Sequence, residues 1–120
     1  MIPNGVDCRQ FSPDVCKQEL AVRAKFWGPI VLLEALSSGL AIITTENTGA
    51  EEAVGDCALL VGVGDSTAIA QRLRELVEDS ALCERLGRRA RHRAEDLFDW
   101  PRVGLQYQRI FDGACGNAWD

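Results

Sequence analysis

The chain has 120 residues, of which 47% are hydrophobic and 26% charged, and it carries a net charge of −5 at neutral pH. That length suits one domain with its own core, and the composition excludes a disordered or fibrous chain. No apolar run approaches the roughly 20 residues that cross a bilayer. The acidic balance argues against general nucleic-acid binding. The opening MIPNGVDCRQ has no basic stretch followed by an apolar one, so a cytoplasmic address is expected. The cysteines, Cys8, Cys16, Cys57, Cys83 and Cys115, are odd in number and widely spaced, with no C-x-x-C pair. This pattern predicts free thiols in a reducing compartment and no metal site.

In chain order, Asn4-Gly5 and Ser12-Pro13 are turn signals, and DVCKQELAVRAK has helix-forming composition. Gly28-Pro29 then starts a helix, because proline at the first helical position loses no hydrogen bond, and Gly39 stops it. The following LAIITT is a short β-branched run that reads as a buried parallel strand. ENTGAEEAVGD reads as a loop with one helical turn over Ala50 to Val54, and ALLVG as a second strand.

Gly64-Asp65-Ser66 caps an amphipathic helix whose Ile69, Leu73, Leu76 and Val77 keep helical spacing, and this helix is expected to pack on the sheet. Ser80 caps another, with Leu82, Leu86, Ala90, Ala94 and Leu97 in one stripe. The arginines between Arg85 and Arg93 lie opposite and read as a solvated face. Asp99-Trp100-Pro101 opens a last helix through Phe111, with Trp100 as a core anchor and GACGNAWD as a frayed tail. Two strands against four or five helices make a thin α/β platform, since doubly wound folds hold five or six strands.

Two features carry chemistry. Glu34 lies among Ile30, Val31, Leu32, Leu33, Ala35 and Leu36, and a carboxylate is rarely buried without a partner. It marks the wet strip of that helix, or it meets something. Glu51 and Glu52 are adjacent on a short helical turn, point in different directions, and fit first-turn helix capping better than acid–base work. His92 lies within the arginine-rich face and has no neighbouring nucleophile that would make it a general base.

IPNGVD with Phe11 and Pro13, VLLEALSSGLAIITT, TGAEEAVGDCALLVGVGD and the closing FDWPRVGLQYQRIF occur in an order and spacing that resemble a known family. It is the C-terminal domain of family-4-type retaining glycosyltransferases with the two-Rossmann GT-B fold. The resemblance implies a partial Rossmann-like α/β fold: a short parallel sheet, flanking helices and a helical C-terminus. It divides the chain into a connection-like segment with a helix (1–25) and a partial nucleotide-binding domain with C-terminal helices (26–120). It also implies a nucleotide-diphosphate sugar as donor substrate, with no cofactor and no metal. Glu34 then takes the place of the second glutamate of an E-x7-E motif, which accepts hydrogen bonds from the nucleotide's ribose hydroxyls. The helix start at Ile30 and Val31 would direct free N–H groups toward the diphosphate. Gly28, Thr48 and Gly49 would lie beside the donor sugar.

The departures from the family's pattern are as specific as the matches. Eight positions before Glu34 stands Phe26, where the family's first glutamate would contact the transferred sugar, and an aromatic ring accepts no such bonds. The family's glycine-rich segment, with the arginine and lysine that neutralise the leaving diphosphate, belongs in the short interval between Pro13 and Gly28, which reads as an internal deletion. The acceptor-binding domain has no counterpart in this sequence. The expectation is therefore a hexosyltransferase-like domain that is shortened and weakly active or inactive alone, with no assignable catalytic residue. The alternative is a small α/β interaction module or non-catalytic remnant, whose incomplete sheet would favour self-association or a covering partner chain.

Overall fold

Helix α1 (Pro29–Ser37) begins at the expected proline, and the chain reverses at Gly39, whose φ of 67° is the left-handed geometry that glycine adopts freely. This computed structural model describes residues 5–13 and 29–115. The helix read over DVCKQELAVRAK, the junction before Gly28, and Phe26 itself lie outside the described residues.

After α1 the chain runs as β1 (Ile42–Thr45), α2 (Thr48–Val54), β2 (Ala58–Val61), α3 (Ser66–Glu78) and α4 (Ser80–Arg93). A π-helical turn (Ala94–Phe98) then leads into α5 (Trp100–Cys115). Among the described residues β1 and β2 form a two-stranded parallel sheet, with Ile42 opposite Ala58 and Thr45 opposite Val61. The expected α/β class, with a short parallel sheet, flanking helices and a helical C-terminal end, is what the chain adopts.

The core lies where α1 packs between α2 and α4. Leu33 and Leu36 of α1 meet Ile42 of β1, Ala53 and Val54 of α2, Ala90 of α4, and Ala94 and Phe98 of the π-helical turn. Residues 5–13 close over this core with Val6 and Cys8. Val6 N–H donates to the Phe98 carbonyl at 2.8 Å, and Trp100 N–H donates to the Val6 carbonyl at 3.2 Å, which ties this segment to the start of α5. At the crossing of α4 and the α1–β1 turn there is no room for a side chain: a Cβ on Gly87 would run into the Gly39 carbonyl oxygen.

Several elements differ from expectation. The helical turn read over Ala50 to Val54 starts two residues earlier, because Asn47 caps it. The cap of α4 is Asp79, whose carboxylate accepts from Leu82 N–H at 3.0 Å, and Ser80 is already inside the helix. Helix α5 continues past Phe111 to Cys115.

Trp100 is half exposed and lies against Gly5, so it covers the surface strap and is not a core anchor. Helix α3 touches both strands and α4, yet it buries no residue, and Leu73 and Val77 stand 51% and 84% exposed. The reason is dimensional: four-residue strands give a platform about 13 Å long, whereas a 13-residue helix is about 20 Å long. Its stripe overhangs the sheet.

Candidate functional site

Four residues join the end of α1 to the start of β1, so α1 must run antiparallel to the strands. Its N-terminus therefore lies toward their carboxyl ends, where α2 and α3 also begin, directly after β1 and β2. That end of a parallel sheet is where open α/β folds bind ligands, and the unpaired N–H groups of a helix start favour anions there.

Glu34 sits at mid-helix in α1, half-buried, between the buried Leu33 and the half-buried Ala35. Among the described residues no hydrogen bond or ion pair engages its carboxylate. Ile30 and Val31 occupy the first turn of α1, and Val31 is half-buried. Thr48 and Gly49, read from sequence as loop, form the first turn of α2. The Asn47 side chain accepts from Ala50 N–H at 2.9 Å, and Glu51 lies in that first turn without making the cap itself. Glu51 and Glu52 are both exposed. Gly28 lies outside the described residues. The structure thus brings the starts of α1 and α2, which pack on each other, to one end of the sheet.

Behind these two helices, α4 holds their other ends, and here the arginine cluster departs from a solvated face. Arg91 places Nη1 among three backbone carbonyl oxygens: Ser37 at 2.7 Å, Cys8 at 2.9 Å and Phe11 at 2.9 Å. Its Nε bonds Glu95. Ser37, the last residue of α1, also donates its hydroxyl to the Phe11 carbonyl. Arg93 donates Nε to the Ala53 carbonyl and Nη2 to the Glu52 carbonyl, both at 2.8 Å, in the last turn of α2. Its guanidinium lies 5.8 Å from the centre of the Phe98 ring. Arg89 pairs with Asp56 just after α2. Arg85 and Arg88 are exposed, as read, with Arg88 paired to Glu84 along the helix.

Sequence reasoning could not find Arg91 and Arg93 in these roles, because their acceptors are backbone carbonyls up to 83 residues away. Asn47 was findable: asparagine just before a helical turn with an early acidic residue is a start signal.

Among the described residues, the other chemistry-bearing groups form no competing site. Burial pushes the Cys8 and Cys57 thiols above their ordinary value and keeps them protonated. His92 is exposed on the outer face of α4. Shallow depressions of about 280 and 320 Å³ on that face share Glu84, Arg88 and His92 in their linings, and neither is lined by Glu34, Val31 or Gly49. Among the described residues, no group of three or more His, Cys, Asp or Glu could hold a metal ion. No described helix is long and apolar enough to cross a membrane.

Comparison with known proteins agrees with this geometry. The pattern of the family described as "Glycosyl transferases group 1" matches residues 27–93, which takes in α1 through α4. The chain is 34% identical over 84 residues to N-acetyl-alpha-D-glucosaminyl L-malate synthase of Bacillus anthracis, covering 68% of this chain and 22% of that protein. It is 37% identical over 93 residues to the capsular polysaccharide biosynthesis glycosyltransferase CapM of Staphylococcus aureus, covering 72% and 24%. Among solved structures it is similar to sucrose-phosphate synthase from Thermosynechococcus elongatus, with a TM-score of 0.69 and 27% identity over 76% of this chain and 23% of that one. The chain spans under a quarter of the length of these relatives.

Proposed function

This chain belongs to the group 1 glycosyl transferases, and from that premise we propose that it is the nucleotide-sugar-binding part of such an enzyme. Glu34 accepts hydrogen bonds from the ribose hydroxyls. Ile30 and Val31 present the helix start to the diphosphate, and Gly28 with the Thr48–Gly49 turn lies beside the sugar. A ribose diol offers two donors and a carboxylate can accept both. The observation that carries this reading is the half-buried Glu34 carboxylate, unengaged among the described residues, on a helix whose N-terminus lies at the carboxyl ends of parallel strands. The name of the glucosaminyl malate synthase supports a hexosyl donor.

Binding and transfer separate in this proposal. Glycosyl transfer needs oriented positive groups at the leaving diphosphate and an acceptor held in line. Phe26 stands where the family's first glutamate would touch the sugar. The chain alone therefore binds a donor in the cytoplasm as substrate, without a metal, and transfers its sugar weakly or not at all. Titration calorimetry with UDP, GDP, UMP and GMP tests this: binding that prefers a diphosphate supports it, and a folded protein that takes up none of the four refutes it.

A second reading has its own observation. Leu73 and Val77 of α3, and Leu105, Ile110 and Phe111 of α5, are each more than half exposed. Uncovered apolar stripes of this kind favour an interaction module that self-associates or docks on a partner chain. Sedimentation across a concentration series separates the two readings, because a nucleotide-binding monomer keeps one size throughout.

A further inference from the structure

Arg91 and Arg93 stand two positions apart on α4, and each grips the carboxyl end of a different helix. Arg91 meets the last carbonyl of α1, with Cys8 and Phe11 of the N-terminal strap on the same nitrogen. Arg93 meets two carbonyls in the last turn of α2. The C-terminal ends of helices carry unsatisfied carbonyls and partial negative charge, so a guanidinium there is favoured twice over. A two-residue step on a helix turns the side chain by about 200°, which is why one helix can hold α1 with one side and α2 with the other. Arg93 is further fixed by the Phe98 ring, and Arg91 by Glu95.

We infer that Arg91 and Arg93 are positioning residues that set the location of α1 and α2 independently, and with them the spacing between Glu34 and the Thr48–Gly49 turn. This rests on the reading of those residues as the donor site. Helices of nine and seven residues are short rigid levers, so holding one end fixes where the other lies. The nucleotide depends on α1, whereas the sugar depends on α1 and α2 together. Loss of Arg91 therefore weakens nucleotide and nucleotide sugar alike. Loss of Arg93 removes only the extra affinity that the sugar provides.

The test titrates the full chain with UDP and UDP-glucose, and with GDP and GDP-mannose, using whichever pair the wild type binds. Variants are Arg91→Met, Arg93→Met, their lysine counterparts and Arg88→Met as an exposed control, each held below its unfolding temperature. Arg91→Met is expected to weaken both ligands of the pair by the same factor, about tenfold. Arg93→Met is expected to leave the free diphosphate within twofold and to cut the sugar's affinity advantage at least fivefold. Lysine carries its three donors on one nitrogen, so it can replace the single nitrogen of Arg91 but not the two of Arg93, and it recovers more of the Arg91 loss than of the Arg93 loss. If the methionine variants do not fold, the lysine variants carry the same comparison.

Both arginine variants weakening the two ligands equally, or leaving both unchanged while only thermal stability falls, overturns the inference and leaves the donor-site reading standing. So does a wild type that binds the sugar nucleotide no tighter than the diphosphate. A folded wild type that binds neither pair removes the donor-site reading itself.

Discussion

Replacing Arg91 with methionine keeps a flexible apolar stem of similar reach and removes the guanidinium from three backbone carbonyls, at 2.7, 2.9 and 2.9 Å. The Arg91 side chain is only 22% exposed, so water reaches these groups poorly. A hydrogen bond involving a charged group contributes about 1.5–3 kcal/mol net, and a buried acceptor left without a donor costs about 1–3 kcal/mol. One nitrogen has two hydrogens for three oxygens, so the contacts are shared and do not add fully. The expected loss is about 2–4 kcal/mol, a large part of the roughly 5–15 kcal/mol that holds a domain together.

Urea unfolding followed by circular dichroism reads this directly. With m in the range of about 1–3 kcal/mol per molar for small proteins, the midpoint should fall by at least about 0.7 M at unchanged m. Arg88→Met is the internal control, since Arg88 is 75% exposed and makes one surface ion pair. It should move the stability by less than about 0.5 kcal/mol. Equal midpoints for the two variants would show that Arg91 is one more solvated charge and that α4 does not hold α1.

Gly87→Ala forces a Cβ against the Gly39 carbonyl and should cost about 1–3 kcal/mol or more. Gly104→Ala, on the interior of α5 with open space around it, should stabilise by about 0.5–1 kcal/mol, and thermal melts of the pair will show opposite signs. Asp79→Ala should cost about 0.5–2 kcal/mol through loss of the α4 cap, while Ser80→Ala should be near neutral in the same melts. Cys8 and Cys57 have thiols raised above 9.0 by burial. Their contribution to stability is complete below the unfolded value and is lost as pH rises from there through the folded one. Chemical unfolding above pH 9 should therefore show falling stability, with a shallower fall in Cys57→Ala, and native alkylation should spare both cysteines.

Much of the fold was legible because local chemistry decides it. Pro29 and Gly39 bracket α1, the β-branched run gives β1, and helical spacing gives α3, where each signal is complete within a few residues. The family resemblance was likewise carried by contiguous blocks. What the sequence could not show depends on partners distant along the chain. Periodicity identified the apolar stripe of α3, but whether a layer exists to cover it depends on the size of the sheet. Arg91 and Arg93 looked like neighbours on a charged face, because a backbone carbonyl in a remote turn leaves no trace in residue type. At the site, Glu34 was legible as an anomaly, a carboxylate in an apolar helix, whereas the convergence of the α1 and α2 starts needed the topology. Serine and aspartate at adjacent positions are both good caps, so residue type leaves Asp79 and Ser80 equivalent and only backbone geometry chooses between them.

The most direct measurement is a calorimetric comparison of UDP with 2′-deoxy-UDP, and of GDP with 2′-deoxy-GDP, on the wild type and Glu34→Ala. A hydrogen bond from a ribose hydroxyl to a carboxylate is worth about 1.5–3 kcal/mol, so the wild type should prefer the ribonucleotide by about tenfold or more. In Glu34→Ala that preference should disappear while the residual diphosphate affinity remains. The same ribose preference in both proteins would contradict the assignment of Glu34, and no binding by a folded wild type would contradict the nucleotide site as a whole.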